Sequence, residues 1–139
     1  MSKRIWIVFL FIVAFQSLAF GQLQKTIHKT FALDSTEIVN LELYGAYEIE
    51  IWAGDNILTE TKIQLYNASK TILNFFVEKG RYEIENEKVE KTLFLRSKDQ
   101  NRAPIKNKKG ESKEVISVRI FIPDTFSPSG DNTWVKTGG

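Results

Sequence analysis

Apolar side chains recur at every second position through most of the chain beyond residue 36, and this constrains the fold more than any other feature. Val39, Leu41 and Leu43 alternate with Asn40, Glu42 and Tyr44. After Gly45 the pattern resumes with Tyr47, Ile49 and Ile51 against Glu48, Glu50 and Trp52, and Ile57, Thr59, Thr61, Ile63 and Leu65 then share one face. A period of two belongs to strands with one buried face. Between these runs, residues 52–56 read as a turn, with Gly54 free to take positive φ and Asp55 and Asn56 suited to local side-chain to backbone bonds. Upstream, a first strand is expected with Ile27, Phe31 and Leu33 opposite Thr26, His28 and Thr30. Further strands are expected at 81–85, around 92–96 and at 115–122, where Ile116, Val118, Ile120 and Ile122 point one way and Pro123 ends the run.

One segment breaks the period. Over 68–79, Ile72, Phe75, Phe76 and Lys79 follow helical spacing, Asn67 or Ser69 is placed to cap the start, and Gly80 is placed to close the end. The expected fold is therefore all-β with one short helix that packs on a sheet. The chain has no Cys, so disulfides, thiolate metal sites and a cysteine nucleophile are excluded and packing alone must hold the fold.

The first 21 residues read as an address rather than as structure. Lys3 and Arg4 precede the apolar run IWIVFLFIVAF at 5–15, and Ala19-Phe20-Gly21 puts small residues before Gln22, as in a cleaved secretory signal. The run is too short for the roughly 20 apolar residues of a membrane-crossing helix. Three segments follow from this: a signal peptide at 1–21, a β domain at 22–126 with a disordered or projecting basic loop at 97–114, and a flexible tail at 127–139. Lys3 and Arg4 are the leader's only charges, so of 19 Lys and Arg against 17 Asp and Glu the remainder carries equal numbers. Nucleic acid is thus not an expected partner. Charge is nevertheless uneven, acidic over 22–60 and basic over 96–139.

No set of residues with catalytic spacing emerges. His28 is the sole histidine, which leaves no second imidazole for a metal site, and a serine triad would need it as base. Glu48 and Glu50 lie about 7 Å apart along one strand face, the ordinary pattern of a solvated strand. Gly80 and Gly110 are isolated, so no glycine-rich phosphate loop exists. The expectation is a non-enzymatic protein with no cofactor and no metal. Tyr44 and Trp52, on faces opposite the aliphatic stripes, and Lys106, Lys108 and Lys109 in the basic loop are the candidate binding surface, for an envelope protein or a polysaccharide. Gly-Asp-Asn occurs at 54–56 and again at 130–132, a weak sign of repeated coils.

The stretch VNLELYGAYEIEIWAGDNILTETKIQLYNASKTILNFFVEKGRYEI, with ISVRIFIP at 116–123, resembles the adhesin domains of exported Bacteroidetes proteins, among them the head GIN domain of auto-transporter adhesins and related domains of unknown function. The shared plan is strand, Gly45, strand with a Gly-Asp turn, strand, helix, Gly-led strand and a late strand closing at Pro123. The resemblance implies a right-handed β-helix or solenoid-like fold and a periplasmic or cell-surface location, with no catalytic residues to carry over. The chain departs from the family by ending soon after the Pro123 strand. From the residues alone, an antiparallel β-sandwich with one packed helix is the alternative. The functional expectation is an exported, adhesin-like binding or structural module without a stable membrane span. The alternative is a periplasmic carrier of a small apolar ligand, distinguished by whether Ile49, Ile63, Ile84 and Ile120 meet one another or line a void.

Overall fold

Three long strands set the dimensions of the molecule. In the computed structural model, which describes residues 22–108 and 110–137, β1 (Gln22–Phe31) and β4 (Ile57–Tyr66) have 10 residues each. The third, β9 (Lys113–Pro123), has 11. With the short edge strand β3 (Glu48–Trp52) they form an open sheet in the order β1-β4-β9-β3. A second open sheet, in the order β10-β11-β2-β6-β5, joins β2 (Ile38–Glu42), β5 (Ile84–Val89), β6 (Thr92–Ser97), β10 (Phe126–Pro128) and β11 (Thr133–Lys136). A two-residue ladder between β7 (Lys106–Asn107) and β8 (Gly110–Glu111) completes the strands among the described residues. The single helix described, α1 (Lys70–Glu78), follows β4.

The strands of the second sheet have six residues or fewer. At about 3.3 Å per residue they span little more than half of β4, so the inner face of the long sheet needs two covers. Its first half packs on the second sheet through Ile57, Ile120 and Ile122 against Val39, Leu41, Leu93 and Leu95, with Phe31, Ile84 and Phe126 closing the layer. Its second half, with Ile63, Leu65 and Ile116, packs on α1 through Ile72, Leu73, Phe76 and Val77, and on Ile105.

The helix ends as its sequence dictates. The Ser69 hydroxyl accepts the Ile72 amide at 3.2 Å. Gly80, at φ 81°, donates to Val77 O while Arg81 donates to Phe76 O, the paired bonds of a left-handed C-terminal cap. That cap delivers Arg81 directly over the Phe76 ring, 5.2 Å from its centroid.

Among the described residues the fold is mostly β with one helix, in two facing sheets that do not close into a barrel. Strand pairing is mixed: β2–β6 and β3–β9 are parallel and the other pairs antiparallel, which corrects the wholly antiparallel sandwich. Three further expectations are corrected. The tail supplies β10 and β11, and β11 pairs with β2 with Trp134 opposite Val39, because this closes an edge that would otherwise leave the core open. The basic loop at 97–114 is anchored rather than projecting: Ile105 and Ser112 are buried, Ser112 N donates to Ile105 O, and the Ser112 hydroxyl and Asn107 Nδ2 both donate to the Asn67 carbonyl. Gly54 does not take positive φ; its lack of a side chain makes room for the Trp52 ring, which a Cβ there would meet at 2.5 Å. Residues 1–21, read as the signal peptide, lie outside the described residues.

Candidate functional site

The two halves of the inner face meet at a seam. On β4 the seam falls at Thr59 and Thr61, both buried, between Ile57 on the sandwich side and Ile63 on the helix side. The segment leaving α1 crosses it with Tyr82 and Ile84. On one side of these two residues, toward β1, lies an open cleft of about 290 Å³ lined by Ile27, Thr59, Thr61, Val77, Tyr82 and Ile84 and rimmed by His28, Lys29 and Glu83. Lys29 reaches over it to donate to the Ile84 carbonyl at 2.9 Å, tying the edge strand to the second sheet. Toward β3 the seam narrows to about 10 Å³, roughly one water, among Tyr44, Ala46, Tyr47, Ser97 and Arg102.

A charged cluster sits beside the narrow end. Arg81 binds Glu114 through two bonds, Nε to Oε2 at 3.0 Å and Nη2 to Oε1 at 2.9 Å, and the Tyr82 hydroxyl donates to the same carboxylate. Burial alone would raise the Glu114 pKa, but the hydrogen bonds from Arg81 and Tyr82 and the charges of Arg81 and Arg102 outweigh it and hold the carboxyl below 4.5. Burial and the neighbouring Glu114 push the Tyr82 phenol well above 10.0. The Arg102 guanidinium lies 4.8 Å from the Tyr44 ring centroid and 5.7 Å from that of Tyr82. Its Nε is buried without an acceptor, and Arg102 forms no ion pair among the described residues. Burial lowers its pKa, only partly offset by Glu114 and Asp99 at longer range.

The candidate residues of the sequence do not form one surface. Tyr44 is 40% exposed, joins Arg102 and is anchored by its amide to the Ser97 hydroxyl at 2.8 Å. Trp52 packs instead on Phe121, with ring centroids 5.8 Å apart, and its indole N–H donates to the Asn56 carbonyl. Lys106 and Lys108 are exposed on and beside β7, and Lys109 lies outside the described residues. His28 meets Glu60 at 3.1 Å, and Glu60 in turn faces Arg119 and Lys62, while Arg119 approaches Glu50; together they form a cross-strand ion ladder on the outer face. Hydrogen bonding to His28 lowers the Glu60 pKa against the effect of burial, aided by Arg119 and Lys62.

Arg81, Arg102 and Glu114 were not legible as a group. They lie in a helix exit, a loop and a strand start, and no spacing signals that these three meet. The four isoleucines neither all meet nor all line a void. Ile63 belongs to the helix-side cluster, Ile84 and Ile120 to the sandwich core, Ile49 packs at its margin, and Ile84 also walls both clefts.

Among the described residues no group of three or more His, Cys, Asp or Glu is disposed to hold a metal ion, and no helix is long and apolar enough to cross a membrane. Comparison with protein-family models, curated protein sequences and solved structures returned no match.

Proposed function

We propose that the protein is an exported, non-enzymatic module of the cell envelope, adhesin-like in holding a partner at the narrow end of the seam. The observation that carries this function is the placement of the Arg102 guanidinium over the exposed Tyr44 ring, 4.8 Å from its centroid, with no carboxylate among the described residues ion-paired to it. A rigid aromatic and a cation presented together, with the cation's fork of donors unclaimed, favour recognition of an external polar partner. The leader at 1–21 supports export, and the resemblance to exported adhesin domains supports the envelope as location. The parallel β2–β6 and β3–β9 pairs are the part of the fold that a coiled, solenoid-like relative would extend. Sedimentation of the exported protein with isolated cell envelopes tests the function: wild type is expected to co-sediment and Tyr44→Ala to remain in the supernatant. A wild-type protein that stays soluble in the presence of envelopes would refute it.

The wide cleft favours a second function, carriage of a small apolar ligand, because Ile27, Val77, Tyr82 and Ile84 give it an apolar lining at the lower limit of small-molecule site volumes. Native mass spectrometry of the exported protein, as recovered, separates the two. A co-purifying small molecule displaced by Val77→Trp would support the carrier, and a single apo mass would oppose it.

A further inference from the structure

Arg102 occupies an unusual position for a surface-loop arginine. It is partly buried and its Nε has no acceptor. Glu114 takes two donors from Arg81 and one from the Tyr82 hydroxyl, which nearly exhausts its lone pairs. Asp99 accepts the Asn101 amide at 3.1 Å. Lys98 is engaged with Glu83. The cluster therefore holds two guanidinium groups around the Tyr82 ring, at 6.0 and 5.7 Å, and its one hydrogen-bonded carboxylate, Glu114, is bonded to Arg81 and not to Arg102. A desolvated cation without its own counter-ion is costly, and the cost falls when an anion joins it. The Arg102 guanidinium lies over the Tyr44 ring, and its two Nη groups, which unlike Nε are not closed off in the interior, suit the two oxygens of a carboxylate.

We infer that Arg102 and Tyr44 form a subsite for a uronic-acid unit of an acidic polysaccharide, Arg102 binding the sugar carboxylate and the exposed Tyr44 ring supporting the pyranose. This rests on the binding-module function proposed above and names its ligand class. The narrow end of the seam, with room for about one water, admits no ligand into the interior, so the partner is held at the surface. A flat ring beside a charged fork fits a sugar acid better than a peptide, for which the site offers no groove; no open strand of either sheet is part of it.

Titration of the isotope-labelled exported protein with trigalacturonate, followed by NMR, tests the inference. The amides of Tyr44, Ser97 and Arg102 are expected to shift. Arg102→Gln and Arg102→Lys are each expected to weaken binding by about tenfold or more, the lysine because it keeps the charge but loses the fork. The methyl ester of the same trisaccharide, used on wild type so that no variant need fold, is expected not to bind. Equal binding of the ester or of neutral maltotriose would overturn the inference, as would unchanged affinity in a folded Arg102→Gln variant. Oligoglutamate binding through Arg102 where trigalacturonate fails would assign the site to acidic protein instead. Should trigalacturonate fail while wild type still co-sediments with envelopes through Tyr44, the ligand class falls and the binding function stands; loss of co-sedimentation removes both.

Discussion

Arg81 and Glu114 face each other through two nearly parallel bonds of 3.0 and 2.9 Å, with side chains only 7% and 16% exposed, and so lock the exit of α1 to the start of β9. The pair stands on the helix-side cluster, since Arg81 lies over Phe76 and Tyr82 belongs to that cluster's core. Removing one partner leaves the other charged, desolvated and unpaired. Arg81→Ala and Glu114→Ala are each expected to destabilise the fold by about 3–5 kcal/mol in chemical denaturation. A loss below about 1 kcal/mol for either would mean that water already screens the pair.

The same cluster sets the pH limits of stability. The Glu114 pKa is lower in the folded state than the ordinary 4.5, so its contribution is present above pH 4.5 and is lost as pH falls through the folded value. The Tyr82 pKa is raised above 10.0 by burial and by Glu114, so its contribution is present below pH 10 and is lost as pH rises from there toward the folded value. Burial raises Tyr47 in the same direction. Melting temperatures measured across pH should therefore fall on both flanks. Glu114→Gln should flatten the acid flank and Tyr82→Phe the alkaline one, and because each group also shifts the other, each substitution should weaken the opposite flank to a lesser degree.

Two apolar clusters on one sheet face imply two independent responses to truncation. Ile63 and Ile120 are fully buried in different clusters, so Ile63→Ala and Ile120→Ala should each cost about 2–5 kcal/mol and the double variant should cost their sum. Glu48→Ala and Glu50→Ala, exposed on the outer face of β3, should cost roughly 0.5 kcal/mol or less. Denaturant midpoints check all five variants. A coupling above about 1 kcal/mol between the two isoleucines would show that the seam at Thr59 and Thr61 does not divide the core.

Local chemistry explains which parts of this fold were legible. Ile57, Thr59, Thr61, Ile63 and Leu65 declared their shared face because one strand runs continuously under both covers, and Ser69 and Gly80 declared the helix ends because capping is a matter of a few adjacent residues. Phe75 was misleading: it follows the helical stripe yet is exposed, stacked edge-on against Phe76. The polar cluster was hidden because Arg81, Arg102 and Glu114 meet only through long-range packing. Of the expected surface, Tyr44 alone joins the site; Trp52 is spent on Gly54 and Phe121, a choice the spacing of these residues does not encode.

The tail shows the same limit most clearly, and its role is open to direct measurement. Residues 127–139 contain one proline, Pro128, and few apolar groups, yet Leu41 N donates to the Asn132 carbonyl and Lys136 N donates to the Glu37 carbonyl, both at 2.8 Å. Those bonds, with Trp134 lying opposite the fully buried Val39, make β11 an interior strand of its sheet between β10 and β2. Amides in such a ladder open only with the sheet. Hydrogen exchange of Val135 and Lys136 should therefore be much slower than that of Gly130 and Asp131 in the preceding turn, and Trp134→Ala should erase much of the difference while costing about 3 kcal/mol or less of global stability, since Trp134 is only partly buried. Rapid exchange throughout 130–137 in the wild-type protein would return the tail to the flexible state expected from its composition.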